Sequence, residues 1–122
     1  MKPVHLDTVH LNITAQQGSG NPHLLAYASS KAALHTLTRT VARAHAREGV
    51  LAYVVAPGIV RTDMSVRSAA TTGGEEAVTA RLAMREWVPP EEAGALIAWL
   101  ASGSVRHLTG ATLDLNGASY PR

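Results

Sequence analysis

The chain has neither cysteine nor phenylalanine. Without thiols it can form no disulfide, thiolate metal site or cysteine nucleophile, and the absence fits a cytoplasmic protein. Without phenylalanine, and with aromatics at only 4%, the core is expected to be aliphatic and rich in alanine. No apolar run approaches ~18 residues, and Met1-Lys2-Pro3 leads into no signal-peptide core. A soluble chain without membrane contact is expected. Lysine is scarce, with Lys2 and Lys31 alone, and the other basic residues are scattered, so no basic stripe marks a nucleic-acid partner. The six histidines form no metal-spaced pair beside carboxylates, so no metal site is expected. His35 and His45 are expected on a helix surface. A Gly-rich phosphate loop is also lacking, because Gly18-Ser19-Gly20 has no later glycine in register.

What is present reads as one α/β domain over residues 1–122, with 46% hydrophobic and 16% charged residues and a formal charge of +2. Residues 1–7 carry no period. Val9, Leu11 and Ile13 alternate with polar residues as in a strand, and residues 16–22 form a loop. A long helix spans residues 23–45, with Leu34, Leu37, Val41 and Ala44 as its apolar stripe and Gly49 as its stop. Residues 50–56 are an unbroken apolar run, typical of a strand buried on both faces. Strand, helix, strand implies a parallel crossover. Residues 63–74 are small and polar and expected to be mobile. A short helix is expected over 75–87, with Val78, Leu82 and Trp87 on one side. Pro89-Pro90-Glu91-Glu92 starts a further helix that buries Leu96, Ile97 and Leu100. Residues 111–115 form the last strand. The three strands are expected in that spatial order.

Tyr27 and Lys31, four residues apart, lie one turn above each other on the long helix. A phenol near pKa ~10 is a poor base at neutral pH, and an ammonium close by favours phenolate. Such a pair can exchange a proton with a carbonyl or alcohol oxygen. The plain alternative is an exposed tyrosine beside a solvated lysine. Residues 57–62 end a buried parallel strand, where ligands of such sheets bind. The plain alternative there is a strand-ending turn in which Thr62 caps the next segment.

Three segments stand in order: Tyr27-Ala-Ser-Ser-Lys31, Pro57-Gly58-Ile59-Val60-Arg61-Thr62 and Leu108-Thr109-Gly110 through Asn116-Gly117. Together they resemble the C-terminal half of the short-chain dehydrogenase/reductase family, in particular its 3-oxoacyl-carrier-protein reductase-like members. The resemblance runs from about Val9 to Gly117. It implies a truncated Rossmann-like domain, a largely parallel sheet with flanking helices, whose first βαβ half, the dinucleotide-binding unit, is missing. It implies that Tyr27 is the catalytic acid/base, and that Lys31 assists the proton transfer and holds the nicotinamide ribose. Pro57, Gly58, Val60 and Thr62 would meet the nicotinamide carboxamide or a phosphate. Thr109-Gly110 would be structural. Asn116-Gly117 departs mildly from the family's Asp-Gly-Gly. The family's third catalytic residue is a serine that bonds the substrate oxygen. Counting back from Tyr27 puts Thr14 there, whereas aligning on Asn12-Ile13 puts Ala15 there. Thr14 can donate that hydrogen bond and Ala15 cannot; Ser19 is a weaker candidate.

The leading reading is an oxidoreductase moving hydride between NAD or NADP and a small carbonyl/alcohol substrate, impaired by loss of the cofactor-binding half. The alternative is a non-catalytic truncated relative acting as a self-associating or partner-binding module. A third reading is a mis-started gene product. The 122 residues alone are expected to bind NAD(P) weakly. They are also expected to form a homo-oligomer, through the edge of the first strand or through small residues Ala32, Ala42 and Ala46 on the long helix.

Overall fold

A computed structural model describes residues 8–13 by their backbone and residues 24–120 in full. Strand β1 (Thr8–Ile13) leads to helix α1 (Leu25–His45), strand β2 (Val50–Pro57), helices α2 (Asp63–Ala70), α3 (Gly74–Thr79) and α4 (Pro90–Ala101), and strand β3 (Thr112–Leu115). Among the described residues the strands form one sheet in the order β1-β2-β3. Both pairings are parallel, with Ile13 beside Val55 and Pro57 beside Leu115. The fold class, strand order and crossover expected from the sequence are those observed. The expected lead-in at 1–7 and loop at 16–22 lie outside the described residues.

β2 is the centre of the core. Its side chains are buried from Leu51 through Ala56, as an apolar run with paired strands on either edge should be. Alternate residues of a strand face opposite sides. Leu51, Tyr53 and Val55 join Leu100, with Leu96 and Ile97 of α4 and Leu113 of β3 packed against them. Burial pushes the Tyr53 phenol above its ordinary pKa of 10.0, with the Arg106 charge pulling weakly the other way. Ala52, Val54 and Ala56 are left for the other face, where α1 lies. The His35 ring approaches the Thr112 hydroxyl there, Nδ1 to Oγ1 3.2 Å, and Thr112 is the register partner of Val54.

The face that α1 presents differs from the expected one. His35, Thr38 and Ala42 are its buried residues, whereas Leu37 is 54% exposed and Ala44 is also exposed. Leu34 and Val41 are half-buried at the edges of the contact. The expected stripe is therefore rotated by one residue, about 100°. The cause is the small surface opposite. Ala52 and Ala56 present only methyl groups, and a Cβ on Gly110 would come 3.4 Å from the Ala42 Cβ. The helix sits too close for leucines. Thr38 fits because its hydroxyl is satisfied by the Leu34 carbonyl, 2.7 Å away. His35 is consequently buried rather than on the surface. His45 is exposed as expected and meets Glu48 at 2.9 Å. Ala42 belongs to the core and not to an outer small-residue surface.

Two further segments depart from expectation. Within residues 63–74, where no element was expected, α2 occupies 63–70. The expected helix over 75–87 ends at Thr79. Turns come next, with Leu82 N–H donating to Thr79 O at 3.1 Å and Arg85 N–H to Leu82 O at 3.1 Å. Breaking the helix lets Leu82 and Trp87 both reach Ala69 in a second apolar cluster, joined by Ile59, Val66 and Val78. α4 starts and stops as read, with Pro90 and two glutamates in its first turn and Gly103 left-handed after it.

The rotation of α1 gives a contrast that chemical denaturation can measure. Leu37→Ala should change stability by less than about 0.5 kcal/mol, as exposed substitutions do. Leu100→Ala should cost about 2–5 kcal/mol, as buried leucines do. Equal costs would mean that the leucine stripe faces the sheet.

Candidate active site

α1 runs back along β2, because only residues 46–49 separate its end from the start of that strand. At about 1.5 Å per residue the helix from Tyr27 to His45 covers about 27 Å, while the eight residues of β2 cover about 26 Å. These lengths bring the start of α1, where Tyr27 stands, to about the height of Pro57, the carboxyl edge of the parallel sheet. That is the edge at which such sheets bind ligands.

Tyr27 is the third residue of α1 and is 46% exposed. The Lys31 ammonium lies 5.7 Å from the centroid of its ring, within cation–π range. The four-residue spacing thus brings the pair together on one face. Ser30 donates to the Tyr27 carbonyl at 2.7 Å, which satisfies its own hydroxyl within the helix.

The second group of predicted residues is the turn after β2. Gly58 N–H donates to the Leu115 carbonyl at 2.9 Å, extending the ladder one step past the strand. A Cβ at Gly58 would come 3.1 Å from both Cα and Cβ of Asn116, so any side chain at 58 would press on backbone. Val60 bridges to Val88 in parallel fashion. Val88 N–H donates to Ile59 O at 2.8 Å, and Arg61 N–H donates to Val88 O at 3.1 Å. That pattern turns the N–H and C=O of Val60 itself away from Val88.

Thr62 is the N-cap of α2, in a reciprocal capping box with Ser65. Thr62 N–H donates to Ser65 Oγ at 2.9 Å and Ser65 N–H donates to Thr62 Oγ1 at 3.3 Å. The plain reading of Thr62 as a cap is correct. Ser65 also donates to the Val60 carbonyl, so one serine ties the turn to the helix behind it. Its signal was present as Thr-x-x-Ser, a spacing that usually carries Glu or Gln.

Arg61 was not among the predicted site residues. Its guanidinium lies 2.8 Å from a Glu75 carboxylate oxygen and 5.4 Å from the centroid of the Trp87 ring. It pins α3 and the 80–88 connection to the strand end. Trp87 Nε1 donates to Thr79 Oγ1 at 2.8 Å from the other side of the same cluster. Nothing local in the sequence marks this contact, since Glu75 and Trp87 are remote from Arg61 along the chain. Beside the turn runs a shallow cleft with Met84, Trp87, Val88, Leu115 and Asn116 in its walls.

Thr14, Ala15 and Ser19, the candidates for the third catalytic position, lie outside the described residues. The expected role of Thr109 as structural fits its geometry, because its hydroxyl accepts the Ala52 N–H at 3.0 Å just before β3 begins. Among the described residues no group of three or more metal-ligating side chains could hold an ion. No helix there is long and apolar enough to cross a membrane.

The family model described as enoyl-(acyl carrier protein) reductase matches residues 7–117. The chain belongs to the short-chain dehydrogenase/reductase family. It is 35% identical over 108 residues to the 3-oxoacyl-(acyl-carrier-protein) reductase FabG of Rickettsia bellii, covering 88% of this chain and 44% of that one. The fold superposes on the TT0495 protein of Thermus thermophilus with a TM-score of 0.80 at 31% identity, covering 89% and 47% of the two chains. It also superposes on ElxO with NADP bound, with a TM-score of 0.78 at 26% identity and 91% and 46% coverage. The chain thus spans less than half the length of these relatives.

Thr62→Ala should cost about 1 kcal/mol in chemical denaturation, whereas Thr62→Ser should stay within a few tenths. An alanine variant as stable as the parent would mean that this hydroxyl caps nothing.

Proposed function

We propose that this chain carries the proton-transfer half of an NAD(P)-dependent oxidoreductase acting on a carbonyl/alcohol substrate. The observation that carries the reading is the Tyr27–Lys31 pair on one face at the start of α1, and the lengths of α1 and β2 support its standing near the Pro57–Thr62 turn. Tyr27 gives a proton to the substrate oxygen during reduction and takes it back during oxidation. Lys31 places a positive charge beside that phenol and reaches toward the nicotinamide ribose. Thr14, if it holds the serine position, donates a hydrogen bond to the same oxygen.

A nicotinamide fits the turn. Val60 has its N–H directed away from the Val88 bridge, while its carbonyl accepts from Ser65. Gly58 keeps the approach bare, and Thr62 stands at a helix start. Pro57, Gly58, Val60 and Thr62 would hold the carboxamide end, and the nicotinamide would supply or accept the hydride. One structural relative, ElxO, has NADP bound, which supports this class of cofactor. The adenosine and pyrophosphate have no seat in these 122 residues, for the sequence contains no Gly-rich phosphate turn. Binding by these 122 residues alone is therefore weak.

Self-association belongs to the same reading. β1 has a strand neighbour on one side only among the described residues, and an unpaired strand edge recruits another chain. Leu25 and Leu37 of α1 are exposed as well. Light scattering at micromolar concentration should give a dimer or larger; a stable monomer with a cooperative melt would refute the association.

Calorimetry with NADH and NADPH on the pure chain should give dissociation constants weaker than micromolar. NADPH oxidation against a panel of ketones, at high protein concentration, should fall at least about a hundredfold in Tyr27→Phe, the loss of an acid catalyst. Oxidation that survives Tyr27→Phe would overturn the assignment. Absence of turnover in the parent, with the fold intact, would favour the non-catalytic module.

A further inference from the structure

Beyond the turn after β2, residues 116–120 make contacts that neither the fold nor the proposed chemistry has used. Asn116 lies directly against Gly58, with its Cα and Cβ where a Gly58 side chain would be. Its side-chain amide donates to the Tyr120 carbonyl at 3.2 Å, and Ser119 N–H donates to the Asn116 carbonyl at 3.0 Å. The turn is closed by two successive left-handed residues, Gly117 with φ 56° and Ala118 with φ 57°. A left-handed alanine is held against its own preference, which requires the surrounding contacts to over-determine it.

Those contacts reach the opposite wall of the cleft. Ser119 Oγ accepts the Ala83 N–H at 3.1 Å. The Met84 side chain lies on Gly117 so closely that a Cβ there would come 2.8 Å from the sulfur. Residues 83 and 84 belong to the connection that carries Trp87 and Val88, and Val88 returns to Val60. By contact from Gly58 to Asn116, Ser119 and Ala83, along the chain to Val88, and by the bridge back to Val60, a closed loop runs beside the cleft.

We propose that the Asn116–Tyr120 turn is a strap that couples the Pro57–Thr62 turn to the Met84–Trp87 wall. Asn116 and Ser119 are its positioning residues. Asn116 acts through Gly58, and Ser119 acts through Ala83. The strap fixes the Met84–Trp87 wall relative to Asn116, which abuts the Pro57–Thr62 turn at Gly58. Its bearing on catalysis rests on Pro57–Thr62 being the nicotinamide turn; the coupling itself does not.

The test therefore needs neither cofactor nor turnover, and a failure of the oxidoreductase reading would leave it standing. In the whole chain with Trp99→Phe, Trp87 is the only tryptophan. Ser119→Ala should speed amide exchange at Ala83 about fivefold, the loss of one hydrogen bond. A local cap would do no more than that. The strap requires that Gly58 N–H, whose acceptor is Leu115 and which Ser119 does not touch, exchange at least about threefold faster in the same variant. Acrylamide quenching of Trp87 should about double. Ser119→Thr, which keeps the acceptor, should restore all three. Acceleration at Ala83 alone, with Gly58 and Trp87 unchanged, would overturn the proposal. Should Ser119→Ala unfold the chain, Ala118→Gly decides instead. Relief of the left-handed alanine should slow exchange at Ala83 and Gly58 together by about threefold, and slowing at one without the other would refute the coupling.

Discussion

The burial of β2 on both faces and both edges is the constraint on which the rest depends. Its backbone must find every partner within the protein, since a buried unpaired amide is costly. β1 takes one edge, and β3 with its Thr109-Gly110 approach takes the other. Thr109 lends a hydroxyl to Ala52, and Gly110 N–H meets the Ala52 carbonyl at 2.7 Å. The ladder runs one residue beyond the strand to Gly58, and there it stops. The site begins where the pairing of β2 ends.

The two faces of that strand place the chemistry. The face with leucine, tyrosine and valine takes the large residues of α4. The face with Ala52 and Ala56 admits α1 closely, with Thr38 and Ala42 against it. The length of α1 then sets the height of Tyr27, because the helix ends at the foot of β2 and its start lies one helix length up the strand. A shorter helix would leave the phenol below the turn. The Tyr-Lys spacing gains its meaning from this packing, which a solvated helix with the same spacing would lack.

Residues 59–88 are organised around their own apolar cluster. Arg61 and the Val60–Val88 bridge hold that unit to the strand end, and the 116–120 turn holds it from the other side. The cluster of residues 59–88 is thus packed separately from the one around β2.

Much of this was legible along the chain. The unbroken apolar run of 50–56 read correctly as a central strand, because burial on both faces removes alternation. The α4 start was plain from Pro90 and its acids, and Tyr27 and Lys31 are on one face because helical geometry is local. What sequence could not convey was which side of α1 faces inward. Residues 34, 37 and 41 and residues 35, 38 and 42 have the same period, and the choice between them depends on the volume of Ala52 and Ala56 across the interface. The helix over 75–87 failed for a related reason, since Leu82 and Trp87 abandon helical geometry to meet Ala69. The contacts of Arg61 with Glu75 and Trp87, of Ser119 with Ala83 and of Asn116 with Gly58 were invisible because these partners are distant in the chain. Local order comes from spacing and caps, which a sequence displays. The rotation of a helix, the end of another and the closing of a cleft depend on which surfaces fit each other, and only the tertiary structure decides that.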